Sequence, residues 1–193
     1  MDIEIYCNTD DEQLFANIRE NCKRDLHWVT EVPPHGGHAV LVGSGPSLSK
    51  YLPSLRARAE HGQTIFALNG AAEWLYKKGF RPEYQVIVDA REHNKHFVRY
   101  PWAKQLLLAS QCHPSLFDYG TPTLWHPVIE GIEELLGTRE CALIGGGTTV
   151  GLSAMCLAYT LGYRNIHLFG YDSCHEDDQS HAWKQDQNAR EPD

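Results

Sequence analysis

Short apolar runs recur between helix-spaced segments, and this alternation constrains the chain more than any other feature. Ala39–Val42, Thr64–Leu68, Tyr84–Val88, Gln105–Ala109, Thr123–His126, Cys141–Ile144 and Asn165–Phe169 read as strands. Ala71–Lys78, Ile129–Leu136 and Thr148–Leu161 read as helices between them. Several strands are unbroken apolar stretches ("VIV", "LLLA", "ALI") rather than alternating ones, which suits strands covered on both faces. Strand and helix in turn predict an α/β fold: a mostly parallel sheet with helices on both faces. Ahead of it, the first thirty residues read as an amphipathic helix with Leu14, Ile18 and Cys22 four apart, and "EVPPHGGH" (31–38) as a linker. The expected division is a helical segment and linker at 1–37, one domain at 38–172, and a polar tail or lid at 173–193.

In a sheet of this kind ligands bind beyond the carboxyl ends of the strands. That rule selects the turn after Val42, Asn69, Asp89, Gly145–Gly147 and Gly170-Tyr171-Asp172. Gly43-Ser44-Gly45-Pro46-Ser47 lacks the Gly-Lys-Ser/Thr of a P-loop, and Leu48 stands where a dinucleotide fingerprint needs its third glycine. Glycine lets a ligand approach the backbone, Pro46 suits a helix start, and Ser47 offers a hydroxyl and an N–H where anions are favoured. The turn is either a phosphate contact or a plain tight turn. Gly146, Gly147, Thr148 and Thr149 open the most apolar helix, whose face is Leu152, Met155, Cys156 and Tyr159; the threonines are ligand contacts or ordinary caps.

Asp89 follows three β-formers, where a carboxylate can hold Mg²⁺ against phosphates or cap the segment that follows. Asn69 can read a base or sugar, or cap "GAAEWLYKKG". In the tail, Asp172, Cys174, His175, Asp177, Asp178 and His181 are potential metal ligands without a closed zinc spacing. Asp172 is singled out by its position, and His181 because "HAW" interrupts a polar run. The last dozen residues hold no strand or helix, so the chain is expected to be cut short or to end in a flexible lid.

The net charge of −8, from 17 Lys and Arg against 25 Asp and Glu, disfavours a nucleic-acid partner, since phosphate backbones require clustered cations. No apolar stretch is long enough to span a membrane, and the acidic start lacks a secretion pattern. The six cysteines include no CxxC pair, which fits a reducing compartment. A cytoplasmic protein is expected.

"VGSGPSL", "ALNGA", "PEYQVIVDA" and "TTVGLSAMCLAYTLGYRNIHLFGYD", in that order, resemble the MptE-like domain of unknown function 115 over about residues 38 to 185. The named activity of that family is 6-hydroxymethyl-7,8-dihydropterin diphosphokinase. The architecture is also similar to that of bacterial lipooligosaccharide sialyltransferases, which carry Asn where Ser44 stands here. The resemblance implies a Rossmann-like fold holding a nucleotide over the strand ends. Gly43, Ser44, Gly45, Pro46 and Ser47 would line the phosphate side near Asn69, and Asp89 and Asp172 match the acidic residues after the third and last strands.

The function expected is therefore a nucleotide-dependent transferase acting on a small-molecule acceptor. ATP and Mg²⁺ would meet a hydroxymethyl acceptor, with Asp89 and Asp172 holding the metal and His181 serving as general base. The alternatives are a glycosyltransferase using a nucleotide sugar and a non-catalytic nucleotide-binding module.

Overall fold

The computed structural model describes residues 9–147, 149–172 and 181–183. Seven strands form one parallel sheet: β1 (His35–Val42), β2 (Thr64–Leu68), β3 (Tyr84–Ile87), β4 (Gln105–Ala109), β5 (Thr123–Pro127), β6 (Leu143–Ile144) and β7 (Tyr163–Phe169). Their order is β6-β5-β4-β3-β2-β1-β7, and every pairing is parallel. The helices are α1 (Asp11–Asn21), α2 (Leu52–Glu60), α3 (Ala71–Lys77), α4 (Ile132–Leu136) and α5 (Val150–Thr160). No helix among the described residues is long and apolar enough to cross a membrane.

The unbroken apolar strands do cover both faces, because successive side chains point to opposite sides. Ala39 and Leu41 of β1 join Phe66, Leu68 and the α5 residues Ala154, Leu157 and Ala158 in one core. Val40 and Val42 join Ile65, Ala67, Leu55 of α2 and Leu75 of α3 in the other. A smaller cluster of Ile18, Cys22, Ile132 and Leu136 joins α1 to α4.

All seven expected strands are present, β2 and β4 to the residue. β1 begins at His35, inside the stretch read as linker, because β7 offers it pairing as far as His35↔Tyr163 across an irregular register. α2 is an addition to the helices named from spacing: "LPSLRARAE" buries Leu55 as its one fully enclosed residue, too little for a clear periodic stripe. The segment after Asp89 is a 3₁₀ helix, Glu92–Val98, and α1 is shorter than the thirty residues suggested.

The sheet order places the site. The chain steps from β1 to β2 on one side, and β7 returns to pair with β1 on the other. The carboxyl ends are level, with Val42 beside Ala67 and beside Phe169. Loops diverging from such a switch point leave a crevice above it.

Candidate functional site

A cleft of about 550 Å³ opens at that crevice. Its walls include Ser44, Asn69, Asp89, Arg91, Tyr171 and His181, together with Thr149–Leu152 at the start of α5. Gly43 and Gly45 also reach it, whereas Pro46, Ser47, Gly146, Gly147 and Asp172 are not among its walls. Thr148 lies outside the described residues, as do Cys174, His175, Asp177 and Asp178 and most of the expected lid.

The glycine turn has an internal reason to be bare. Gly43 N–H donates to Phe169 O at 2.8 Å and Gly45 N–H to Gly170 O at 2.9 Å, which pins the turn to the end of β7. A Cβ on Gly43 would stand 2.5 Å from the Gly170 carbonyl oxygen, and one on Gly45 would stand 2.4 Å from Asp172 Oδ2. The two glycines are thus approached closely by protein, while the turn they bound also lines the cleft. Asp172 completes it: Ser47 N–H donates to Oδ2 at 2.8 Å and Ser47 Oγ to Oδ1 at 2.6 Å. The carboxylate caps the short 3₁₀ helix Pro46–Ser49 from the end of the neighbouring strand, a favourable place for negative charge.

The α5 entrance divides in the same way. Gly146 packs against the helix, since its Cβ would lie 2.4 Å from the Ser153 backbone at a φ of +129°. Thr149 is the N-cap, its Oγ1 accepting from Leu152 N–H at 3.2 Å. Gly151 must be small because the Tyr171 ring lies against it, and Tyr171 donates its hydroxyl to Gly151 O at 3.3 Å. Burial pushes the Tyr171 hydroxyl well above its usual pKa, so it remains a neutral donor. The first turn of α5 therefore faces the cleft across a rigid contact.

The opposite wall comes from β2 and β3. Asn69 takes a left-handed φ of 48°, its N–H donating to Val86 O and its carbonyl accepting from Gln85 Nε2 at 3.1 Å. It does not cap α3, whose N-cap is Gly70. Its side-chain Oδ1 is buried without a partner among the described residues. A lone buried acceptor is costly unless something fills it.

Asp89 is bound by Arg91. Arg91 N–H donates to Oδ1 at 2.9 Å, Nε to Oδ1 at 3.0 Å and to Oδ2 at 3.2 Å, and an Nη to Oδ2 at 2.5 Å. Burial alone would raise the Asp89 carboxyl; the hydrogen bonds and charge of Arg91 outweigh it and hold it below the usual range. Arg91 is raised in turn, chiefly by its bond to Asp89. The segment is braced from behind by α1. Asn17 Nδ2 donates to Ala90 O at 3.2 Å and Gln111 O at 2.9 Å, and Gln111 Nε2 donates to Val88 O at 2.8 Å. Asn21, one turn further, holds Ser110 O and Cys112 O.

His181 does reach the cleft. Ala182 N–H donates to Ser44 O at 2.8 Å, and Trp183 stacks on Trp74 with ring centroids 5.5 Å apart.

The two carboxylates expected at the metal have different partners: Asp89 is held by Arg91 on the cleft wall, and Asp172 by Ser47, neither of which is among the cleft's walls. Among the described residues no three His, Cys, Asp or Glu side chains are grouped to hold a metal ion. Sequence reading missed Arg91, which looks like part of a solvated "REHN" run, and marked Tyr171 only as part of the turn after the last strand. The Asp-x-Arg spacing was the available signal, since it lets a guanidinium fold back on the carboxylate.

Comparisons with known proteins bear on the family and the fold. The family described as 6-hydroxymethylpterin diphosphokinase MptE-like matches residues 12–178, a span that includes α1 as well as the sheet. No curated protein matches the sequence. A solved structure titled as the MAf glycosyltransferase from Magnetospirillum magneticum AMB-1 shares the fold, with a TM-score of 0.65 at 16% identity. The similarity covers 82% of this chain and 27% of that one.

Proposed function

The chain belongs to the MptE-like family, and from that premise we propose that it is a nucleotide-dependent transferase whose donor lies in the cleft above β1, β2 and β7. One observation carries the reading: the start of α5, Ser44 and Asn69 line a single cleft at the switch point of the sheet, and Asn69 Oδ1 is buried without a partner among the described residues. A helix start favours phosphate through its free N–H groups and its dipole. With its amide turned toward the cleft, Asn69 Oδ1 would accept a hydrogen bond from a base amine or a ribose hydroxyl.

The family description supports diphosphoryl transfer from ATP to a hydroxymethyl acceptor such as a pterin. The protein's part in such a reaction is to position groups and to offset charge. Ser44 and the α5 turn hold the phosphates, Tyr171 keeps the helix start in place, and His181 accepts the proton of the attacking hydroxyl. Mg²⁺ enters this reading only as a companion of the triphosphate, and no step runs through a protein-held metal.

A second reading, glycosyl transfer from a nucleotide sugar, is supported by the fold shared with the MAf glycosyltransferase. A thermal-shift panel of ATP, GTP, CTP, CMP and nucleotide sugars, with and without Mg²⁺, tests both. A ligand at about 100 times its dissociation constant adds about 2.7 kcal/mol of stability. Stabilisation by a triphosphate followed by AMP release with a hydroxymethylpterin supports the first reading, and consumption of a nucleotide sugar supports the second. No shift with any nucleotide defeats both.

A further inference from the structure

Arg91 is the lone Lys or Arg among the described residues lining the cleft. An anionic donor there is met by this guanidinium, by the α5 helix start, or by a metal that arrives with it. The geometry favours the guanidinium. Both carboxylate oxygens of Asp89 are already engaged, by the Arg91 backbone N–H and by Nε and one Nη of its side chain. To ligate Mg²⁺, which demands close octahedral oxygen contacts, Asp89 must give up a bidentate charge-assisted pair.

Asp89 is also hard to re-aim. Its neighbours on either side are held through their carbonyls, Val88 by Gln111 and Ala90 by Asn17. The carbonyl of Arg91 accepts from Asn94 Nδ2 at 3.1 Å. The guanidinium is thereby fixed at one edge only. Nη1 has no partner among the described residues, and the side chain is 40% exposed. A planar fork held from behind by a carboxylate presents its remaining N–H groups in the geometry that phosphate oxygens take. His93, also on the cleft wall, does not compete as a cation: burial first, and the Arg91 charge next, lower its pKa.

We propose that Arg91, braced by Asp89, is the phosphate-binding cation of the cleft, and that nucleotide binding there needs no divalent ion. The proposal rests on the nucleotide reading of the cleft and goes beyond it. Asp89 becomes a positioning residue for Arg91.

Isothermal titration with ATP, CTP, CMP and inorganic diphosphate, each in EDTA and in Mg²⁺, tests it on wild type, Arg91→Gln, Arg91→Lys and Asp89→Asn. The wild type should bind at least one probe as tightly in EDTA as in Mg²⁺. Arg91→Gln should weaken that binding about ten- to hundred-fold, the worth of hydrogen bonds to a charged partner. Arg91→Lys should recover part of the loss, which a merely structural role would not predict, and a chemical melt of each variant separates binding from folding. Asp89→Asn should bind several-fold more weakly in both buffers. Binding that appears only with Mg²⁺, or an Arg91→Gln protein that binds like wild type, overturns the proposal while leaving the nucleotide site intact. Failure of every probe in both buffers defeats the nucleotide reading itself, and this inference with it.

Discussion

On the β1–β7 side of the cleft Gly43, Gly45 and Asp172 are bound by protein, while on the β2–β3 side Asn69 Oδ1 and one edge of Arg91 have no partner among the described residues. Gly43 and Gly45 are bare because Gly170 and Asp172 fill the space a side chain would take, and Asp172 is saturated by Ser47. Across the cleft, Asn69 Oδ1 has no partner among the described residues, and the Arg91 fork is held at one edge. The two glycines with Asp172 are a frame, and Asn69 with Arg91 is a reader. A glycine-rich turn at a strand end is therefore weak evidence of ligand contact until the atoms facing each Cα are known.

The largest effect expected lies in neither wall and serves as a control on both. His126 is fully buried, with Nδ1 on Ser110 Oγ at 2.8 Å and Nε2 unpartnered among the described residues. Burial, helped by the charge of Arg139, lowers its pKa from 6.5 to about 4. The unfolded chain takes up this proton as pH falls below 6.5 and the folded one does not until about 4. Stability attributable to His126 is thus full above 6.5 and lost as pH falls to 4, by about 3 kcal/mol at 1.36 kcal/mol per unit. Urea melts from pH 7 to 4 should show this slope in wild type and a shallower one in His126→Gln. Equal slopes would place the acid sensitivity elsewhere, the cleft included.

Within the frame, Gly45→Ala should destabilise the apo protein by about 1–3 kcal/mol, as overpacking does. The backbone φ of −60° suits alanine, so the cost is steric and arises against Asp172 and Gly170. A melt unchanged without ligand would mean that Asp172 and Gly170 do not constrain this turn. Asp172→Asn comes next: replacing a charged acceptor of two bonds should cost about 1–2 kcal/mol while leaving nucleotide affinity near wild type. A large loss of affinity without loss of stability would make Asp172 part of the reader.

How far the sequence carried depends on which physics each residue obeys. Strands such as Thr64–Leu68 and Gln105–Ala109 were legible because burial on both faces writes itself as unbroken apolar runs. The level strand ends then put Asn69, Asp89 and Ser44 around one cleft, as the positional rule anticipates. What composition and spacing do not carry is the partner of each polar group. Asp89 and Asp172 are both carboxylates at strand ends, yet Arg91 two residues on claims the first and Ser47, distant in sequence, the second. The brace from Asn17 and Asn21 was likewise hidden, as two amides one turn apart on a surface-like helix give no sign of the carbonyls they meet.

The smallest stability effect is expected in the reader. Asn69→Gly keeps the left-handed backbone and deletes the amide, so the melt should move by no more than about 0.5 kcal/mol while nucleotide affinity falls. Unchanged affinity would mean that the orphan acceptor serves no ligand.

A crystal structure of the protein with its best-stabilising nucleotide tests the central claim most directly. The account predicts phosphates between the start of α5, Ser44 and Arg91, with a base or ribose donor on Asn69 Oδ1. A nucleotide bound at the opposite, amino-terminal end of the strands, with this cleft unfilled, would contradict it.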